Sequence, residues 1–423
     1  MPNSLPATFP ALLILLVILS GCTHISQAGK DDSSEAASPS ATDTDPASSN
    51  NAFAMKLYQK LIETEDDNIF FSPYSISTAL TMTWAGADGE TADEMGDVLH
   101  FPSDNRSAVH SDYREMLEQM RKREKAANYE LVIANALWGQ EDSEFREDFL
   151  ELVTDYYDAV FREVNYKSEA EEAREKINQW VAEKTRDKIK DLIPSGVLDK
   201  MTRLVLTNAV YFKAPWSKQF SEKKTREETF TCRNGQEVEM PMMHKSDSFM
   251  YAETDDCKLL EMTYENNDFS MVIILPHQPD GLSALEEEIT LPKLRNMLDK
   301  LQQTRVEAGV PRFKITSRFQ LSEMLRDLGM RQAFNPQQAD FSRINNNQEK
   351  LFLKEVLHKS YIDVYEKGTE AAAATGVVMQ TTALPPESEK EFNADHPFLF
   401  LIRDLHTDNI IFIGRVVSLE EDD

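Results

Sequence analysis

Residues 366–386 read EKGTEAAAATGVVMQTTALPP. Gly368 and Gly376 bracket a run of small residues, Pro385 and Pro386 close the segment, and Glu370 is the one charge between Gly368 and Glu387. The stretch has too few large apolar groups to form a core strand alone. It is too polar and too short to span a membrane. Taken every second residue, one phase is Thr369, Ala371, Ala373, Thr375, Val377, Met379 and Thr381, all uncharged and the first four small. The other phase holds Glu370 with Ala372, Ala374, Gly376, Val378, Gln380 and Thr382. Alternate side chains of a strand face opposite sides, so the segment is able to enter a sheet with the small phase inward and Glu370 outward. Glu370–Ala374 is also good helix material, although the glycines leave about two turns, short for a helix standing alone. Local physics favours an exposed loop over both.

The flanking sequence adds a resemblance. EKGTEAAAATGVV, then PP, then FNADHPFLFLIRD at 392–404 resembles the reactive-centre loop and following signature of the serpins. NIFFSPYSI (68–76) resembles serpin strand 6B and helix B, and TNAVYFKAPW (207–216) resembles strand 3A and the residues beyond it. VPRFKI (310–315) looks like strand 6A, and LFLKEVLHKSYIDV (351–364) like strand 5A running into the loop. The resemblance covers roughly 51–419. It implies an α+β fold of three β-sheets, the largest called sheet A, with about eight to nine helices and an exposed reactive-centre loop.

The same resemblance implies a function and its residues. The loop is bait for a serine protease, and after cleavage it enters sheet A and traps the acyl-enzyme. Glu366, Gly368, Thr369, Glu370, Ala371, Ala372, Ala373 and Ala374 form the hinge. The hinge glutamate commonly lies sixteen residues before the attacked carbonyl, and two prolines follow that residue closely. Both anchors select Thr382–Ala383 as the reactive bond, with neighbouring bonds such as Thr381–Thr382 as the alternative. Glu366 is expected to meet Arg312 near Trp216, the breach where insertion begins. Ser72, Ser75, Asn208 and His358 fall on the shutter, a polar cluster beneath the point where strands 3A and 5A part. A lone surface ion pair is the plain reading of Glu366 and Arg312, and a hydrogen-bonded core histidine that of His358. A serpin fold that binds partners without inhibiting proteases is the alternative function.

Specificity follows from size and charge. No Lys or Arg occurs from Gly368 to Glu389, so a trypsin-like pocket has no cation to bind. Thr382 suits a shallow elastase-like pocket or a broad subtilisin-like cleft.

The N-terminal region reads differently. Ala11–Leu19 is an unbroken apolar run, followed by Leu19-Ser20-Gly21-Cys22. The run is short for a transmembrane helix and right for a secretion signal. The box resembles a lipoprotein cleavage site, which makes Cys22 the lipid-bearing residue and residues 1–21 a signal peptide. The pattern departs from the usual one because no Lys or Arg precedes the apolar run. An ordinary signal peptide with an incidental Cys22 is the alternative. Residues 22–50 read as a solvated tether rich in Ser, Ala, Asp and Thr. Residues 51–423 read as one domain, held outside the cytoplasm by lipid or secreted, and monomeric.

Composition narrows the partners. The 423 residues carry 45 basic and 73 acidic side chains, a net charge of −28. That balance argues against nucleic acid and against heparin-like glycans. In the helix expected over Ser111–Ala127, Glu115, Glu118 and Glu124 interrupt the basic cluster of Arg121, Lys122, Arg123 and Lys125. No G-x-S-x-G, H-E-x-x-H, C-x-x-C or Walker sequence occurs. The chain is expected to be no enzyme and to need no cofactor or metal. Cys232 and Cys257 are expected as free thiols, with one bridge between them as the alternative in an exported protein. Helices are expected over 51–63, 148–161 and 170–189, strands over 131–138 and 204–212, and a hairpin at Asn234-Gly235.

Overall fold

A computed structural model describes residues 45–102, 105–126, 128–157, 160–346, 350–369 and 390–420. The chain opens with α1 (Pro46–Ile62), β1 (Ile69–Phe71), α2 (Pro73–Ala85), α3 (Gly89–Val98) and α4 (Arg106–Ala126). It continues through β2 (Glu130–Gln140), α5 (Glu147–Tyr157), β3 (Val160–Val164), α6 (Tyr166–Lys184) and β4 (Leu204–Pro215). Strands β5 (Arg226–Thr231), β6 (Glu237–Glu253), β7 (Cys257–Thr263) and β8 (Phe269–Pro276) form consecutive hairpins. Helices α7 (Leu282–Glu288) and α8 (Leu291–Leu298) lead to β9 (Gln302–Pro311), β10 (Phe313–Gln320) and α9 (Ser322–Leu328). The chain then runs through β11 (Leu353–Tyr365), β12 (Gly368–Thr369), β13 (Lys390–Asn393), β14 (Phe398–Asp404) and β15 (Ile410–Val416).

Three sheets are expected, and this is corrected. Among the described residues the strands form two, one of nine strands and one of six. The cause is β6, seventeen residues long. It pairs with β5 at its start, with β9 along Met242–Tyr251, and with β7 at its end, so two strand sets share one ladder. The six-stranded sheet runs β10-β11-β12-β4-β2-β3, with β11 also pairing directly to β4.

The six-stranded sheet is covered on both faces. On one, Val210, Phe212, Ile362, Val364, Phe313 and Ile315 pack against Phe70, Phe400, Phe412 and Ile273 of the other sheet. On the opposite face Ala209, Tyr211, Leu357 and Tyr361 pack with Trp138 and with Ile177, Trp180 and Val181 of α6. Double coverage explains why LVLTNAVYF is apolar at nearly every position rather than at alternate ones. Every residue of α2 is buried, as its uncharged sequence requires. The Ser72 side chain caps this helix by accepting from Ser75 N–H at 3.1 Å, with Pro73 in its first turn.

Several boundaries move. Helix α1 begins at Pro46, inside the stretch 22–50 read as tether, because the Asp45 carboxylate accepts from Ala47 N–H and Ser48 N–H at 2.8 and 3.0 Å. The helix expected over 148–161 ends at Tyr157, and Val160–Val164 is a strand parallel to β2. The strand expected over 310–315 is divided at Arg312, where the chain leaves β9 in one sheet and enters β10 in the other. The expected hairpin is present, with Gly235 at φ +79°.

Replacing Asp45 by Ala is expected to lower the free energy of the first unfolding transition by about 1 kcal/mol. A urea titration reads this, and an unchanged midpoint would show that packing rather than the cap sets the helix start.

Candidate functional site

The parallel seam between β4 and β11 runs from the pair Leu353–Leu204 to the pair Tyr361–Tyr211. Above it the strands are parted by β12. Glu366 and Lys367 make the turn, and Gly368 and Thr369 then run antiparallel to both neighbours. Thr369 lies opposite Ala214 and Val364, fully buried, with its hydroxyl 2.7 Å from the Tyr264 hydroxyl. The first hinge residues therefore already sit in the sheet. Gly368 is required there. Its φ is +154°, and a Cβ would lie 2.2 Å from the Ala214 carbonyl oxygen.

Glu366 anchors this wedge. The corner at Arg312 sets the guanidinium beside the end of β11, since Phe313 pairs with Val364. Arg312 Nε donates to both Glu366 carboxylate oxygens at 3.0 Å, and Nη2 to Oε1 at 2.6 Å. Thr225 Oγ1 donates to the same carboxylate. Glu366 is 1% exposed and Arg312 40%. Burial pushes the Glu366 carboxyl up, but the hydrogen bonds from Arg312 and Thr225 outweigh it and hold the group below its ordinary value. Trp216 lies close, as expected. Its indole donates to the Tyr365 carbonyl at 2.9 Å, its ring stacks on Tyr264 at 4.4 Å, and its backbone N–H donates to the Lys367 carbonyl at 2.9 Å.

The second cluster lies midway down the seam. His358 and Asn208 are register partners across it. His358 Nε2 accepts from Ser72 N–H at 3.3 Å, so Nδ1 carries the proton and donates to Asn208 Oδ1. Asn208 Nδ2 donates to Asn135 Oδ1 and reaches Ser75 Oγ. Asn135 Nδ2 donates to the Ser75 carbonyl at 3.2 Å, and Ser72 Oγ donates to the Ile411 carbonyl at 2.7 Å. His358 is fully buried, and burial depresses its pKa to about 3. A neutral imidazole that both accepts and donates inside the core fits a structural link better than a base.

The structure thus brings Glu366, Gly368, Thr369, Arg312 and Trp216 together at the top of the seam, and Ser72, Ser75, Asn208 and His358 at its middle. Asn135, Thr225 and Tyr264 are additions. Asn135 had a signal, a lone amide inside the apolar run LVIANALW, like Asn208 in its own strand. Thr225 and Tyr264 had none. Glu370, Ala371, Ala372, Ala373, Ala374, Thr382, Ala383 and Cys22 lie outside the described residues. Cys232 and Cys257 are both free and buried, and burial raises the Cys257 thiol. Among the described residues no cluster of metal-ligating side chains occurs.

A two-sheet α+β body with a parallel seam, wedged open at one end by the start of a loop, defines a protein class. The serpin family, described as serine protease inhibitor, matches residues 48–419. An uncharacterised serpin-like protein of Thermococcus kodakarensis is 42% identical over 369 residues, covering 87% of this chain and 84% of that protein. Leukocyte elastase inhibitor A of Rattus norvegicus is 39% identical over 381 residues, covering 88% and 99%. The crystal structure of Serpin48, described as a highly specific serpin of the insect Tenebrio molitor, superposes with a TM-score of 0.78. It is 33% identical and covers 88% of this chain and 97% of that one. The chain belongs to the serpin family, and as a member it is a protease-inhibitor type of protein rather than an enzyme.

His358 makes stability depend on acid. Its folded pKa of about 3 lies below the ordinary 6.5, so its contribution is complete above about pH 6.5 and declines as pH falls towards 3. The decline reaches at most about 1.4 kcal/mol per pH unit. Urea midpoints across that range are expected to fall more steeply for the native chain than for His358→Gln, and parallel curves would remove the histidine from the account. Separately, Gly368→Ala is expected to cost about 1–3 kcal/mol and to expose the Thr369 amide to hydrogen exchange. Unchanged protection would mean that β12 tolerates a side chain.

Proposed function

We propose that the chain is a one-use inhibitor of serine proteases, cleaved at Thr382–Ala383. The observation that carries this is the register of β12. Continued downward after cleavage, it brings Ala371 opposite Phe212 and Ile362, Ala373 opposite Val210 and Ser360, and Thr375 opposite Asn208 and His358. These are the core-facing positions of the seam, and the incoming side chains are small and uncharged. Glu370 falls in the other phase. Met379 then comes opposite Leu204, the first residue of β4, so Thr382 passes just beyond the lower end of the sheet. Thirteen residues of strand from Thr369 to Thr382 correspond to a displacement of about 44 Å. A protease held by an ester to the Thr382 carbonyl would travel that distance and be pressed against the opposite end of the molecule.

The chemistry belongs to the protease. Its serine attacks the Thr382 carbonyl, the peptide bond to Ala383 breaks, and the amine of Ala383 leaves. Insertion before water arrives makes the acyl-enzyme persist. The driving force is an exchange of pairings: one parallel β4·β11 seam gives way to two antiparallel ladders, which are slightly more stable per residue. The named elastase inhibitors among the relatives support an inhibitory role and agree with a small residue at Thr382. We read Cys22 as lipid-bearing and the domain as extracytoplasmic, on the strength of the sequence ALLILLVILSGC.

Incubation with an elastase and with a subtilisin is expected to give an SDS-stable complex and a released peptide beginning at Ala383 by mass spectrometry. Trypsin is expected to be trapped more slowly. Thr369→Arg, which places a charge where the Tyr264 hydroxyl now meets Thr369, is expected to turn trapping into turnover. Cleavage after Thr382 without any covalent complex or gain in heat resistance would leave a serpin fold that binds but does not inhibit.

A further inference from the structure

The chain has 45 basic and 73 acidic side chains, yet the stretch 213–226, KAPWSKQFSEKKTR, holds five basic residues and one acidic. This segment is bound to the start of the reactive-centre loop. Phe220 N–H donates to the Glu366 carbonyl at 2.8 Å, Trp216 N–H to the Lys367 carbonyl at 2.9 Å, and Thr225 to the Glu366 carboxylate. Lys223 and Lys224 are exposed on the short turn Glu222–Lys224, immediately before Thr225. Neither side chain has an ion pair among the described residues.

Other cations surround them. Lys367 lies 3.6 Å from Glu222, Lys218 2.9 Å and Lys245 3.5 Å from Asp247, and Arg226 2.5 Å from Glu228. His244 shares Glu228 at 3.1 Å. Glu227, on the other face of β5, is exposed. Four cations, Lys367, Lys218, Lys245 and Arg226, thus share Glu222, Asp247 and Glu228, and Lys223 and Lys224 add two more that pair with none of them. Burial holds the Lys245 ammonium below the usual lysine range against the pull of Asp247, and Lys218 and Lys224 push the same way.

We propose that Lys218, Lys223, Lys224 and Lys367 form a docking collar for an acidic surface beside the substrate cleft of the target protease. The proposal rests on the inhibitor reading. The overall charge does not oppose it, because charges further than about 8 Å away are largely screened at physiological salt. Local charge of this kind steers encounter and raises association rates by roughly 10- to 1,000-fold. The collar would supply the selectivity that a small, uncharged Thr382 cannot.

The test uses pancreatic elastase and the same elastase succinylated on its lysines, against the native chain and Lys223→Glu/Lys224→Glu. The native chain is expected to trap the succinylated form about tenfold faster at physiological salt. The advantage should vanish in 1 M salt and in the double variant, with inhibition stoichiometry unchanged. Equal preference in the variant overturns the collar while leaving inhibition intact. If no covalent complex forms with either elastase, the inhibitor reading fails. The collar is then read by equilibrium binding of the two elastases with their active-site serine blocked, and equal affinities overturn it. Retention on a heparin column that the variant loses, without any preference between the elastases, also overturns it by reassigning the lysines to a glycan.

Discussion

The parallel contact between β4 and β11 is the constraint on which the molecule depends. Parallel strands inside a sheet need both faces covered, and here they have it, from α6 on one side and the second sheet on the other. Across the middle of the contact, His358 and Asn208 add a side-chain bond to the backbone ladder. That bond lies in a dry core where an unpaired partner is costly. Parting the strands leaves Nδ1–H of His358 and Oδ1 of Asn208 without partners until something else enters. The seam is therefore closed by pairing rather than by packing alone, so on the proposed reading its opening and refilling would be one event.

The top of the seam answers the middle. Gly368 and Thr369 fill the gap there and pair with both β11 and β4, the first hydrogen bonds that the proposed added strand would need. Extending that strand trades one pair of neighbours for two, one residue at a time. Glu366 makes the direction unambiguous. With its carboxylate held by Arg312 and Thr225 and its carbonyl held by Phe220, the turn is fixed, and on the proposed reading insertion would proceed from it in one direction.

How much of this the sequence disclosed varies with the kind of signal. A capped and charge-free α2 and the Glu366–Arg312 pair were both legible, because each leaves a local or family-specific pattern. The division of VPRFKI at Arg312 was not. A strand that changes sheets at a corner keeps its alternating pattern through the bend, so periodicity reads straight across. The fusion of two strand sets through β6 was hidden for the same reason. The start of α1 was hidden by composition. Pro46–Asn50 looks like tether, and only Asp45 and burial against neighbours such as Asn409 and Ser77 make it helix. Thr225 and Tyr264 meet the hinge from far away in sequence, and nothing near them announces it.

The environment of Glu366 also corrects an energetic expectation. Read as a surface ion pair, its contact with Arg312 would contribute little. The carboxylate is instead almost wholly buried, while the guanidinium remains partly in solvent. The desolvation cost falls mainly on one partner, and three donors on two side chains compensate for it. Losing Arg312 would strand a charge rather than merely expose one, which is the more damaging case. The wedge is thus held by a polar contact that is strong only while the turn is seated. On the proposed reading an opening seam would not disturb this contact, because β12, from which the added strand would continue, begins two residues beyond Glu366. On the proposed inhibitory reading, the six-stranded sheet would rearrange while the point from which the rearrangement starts stays fixed.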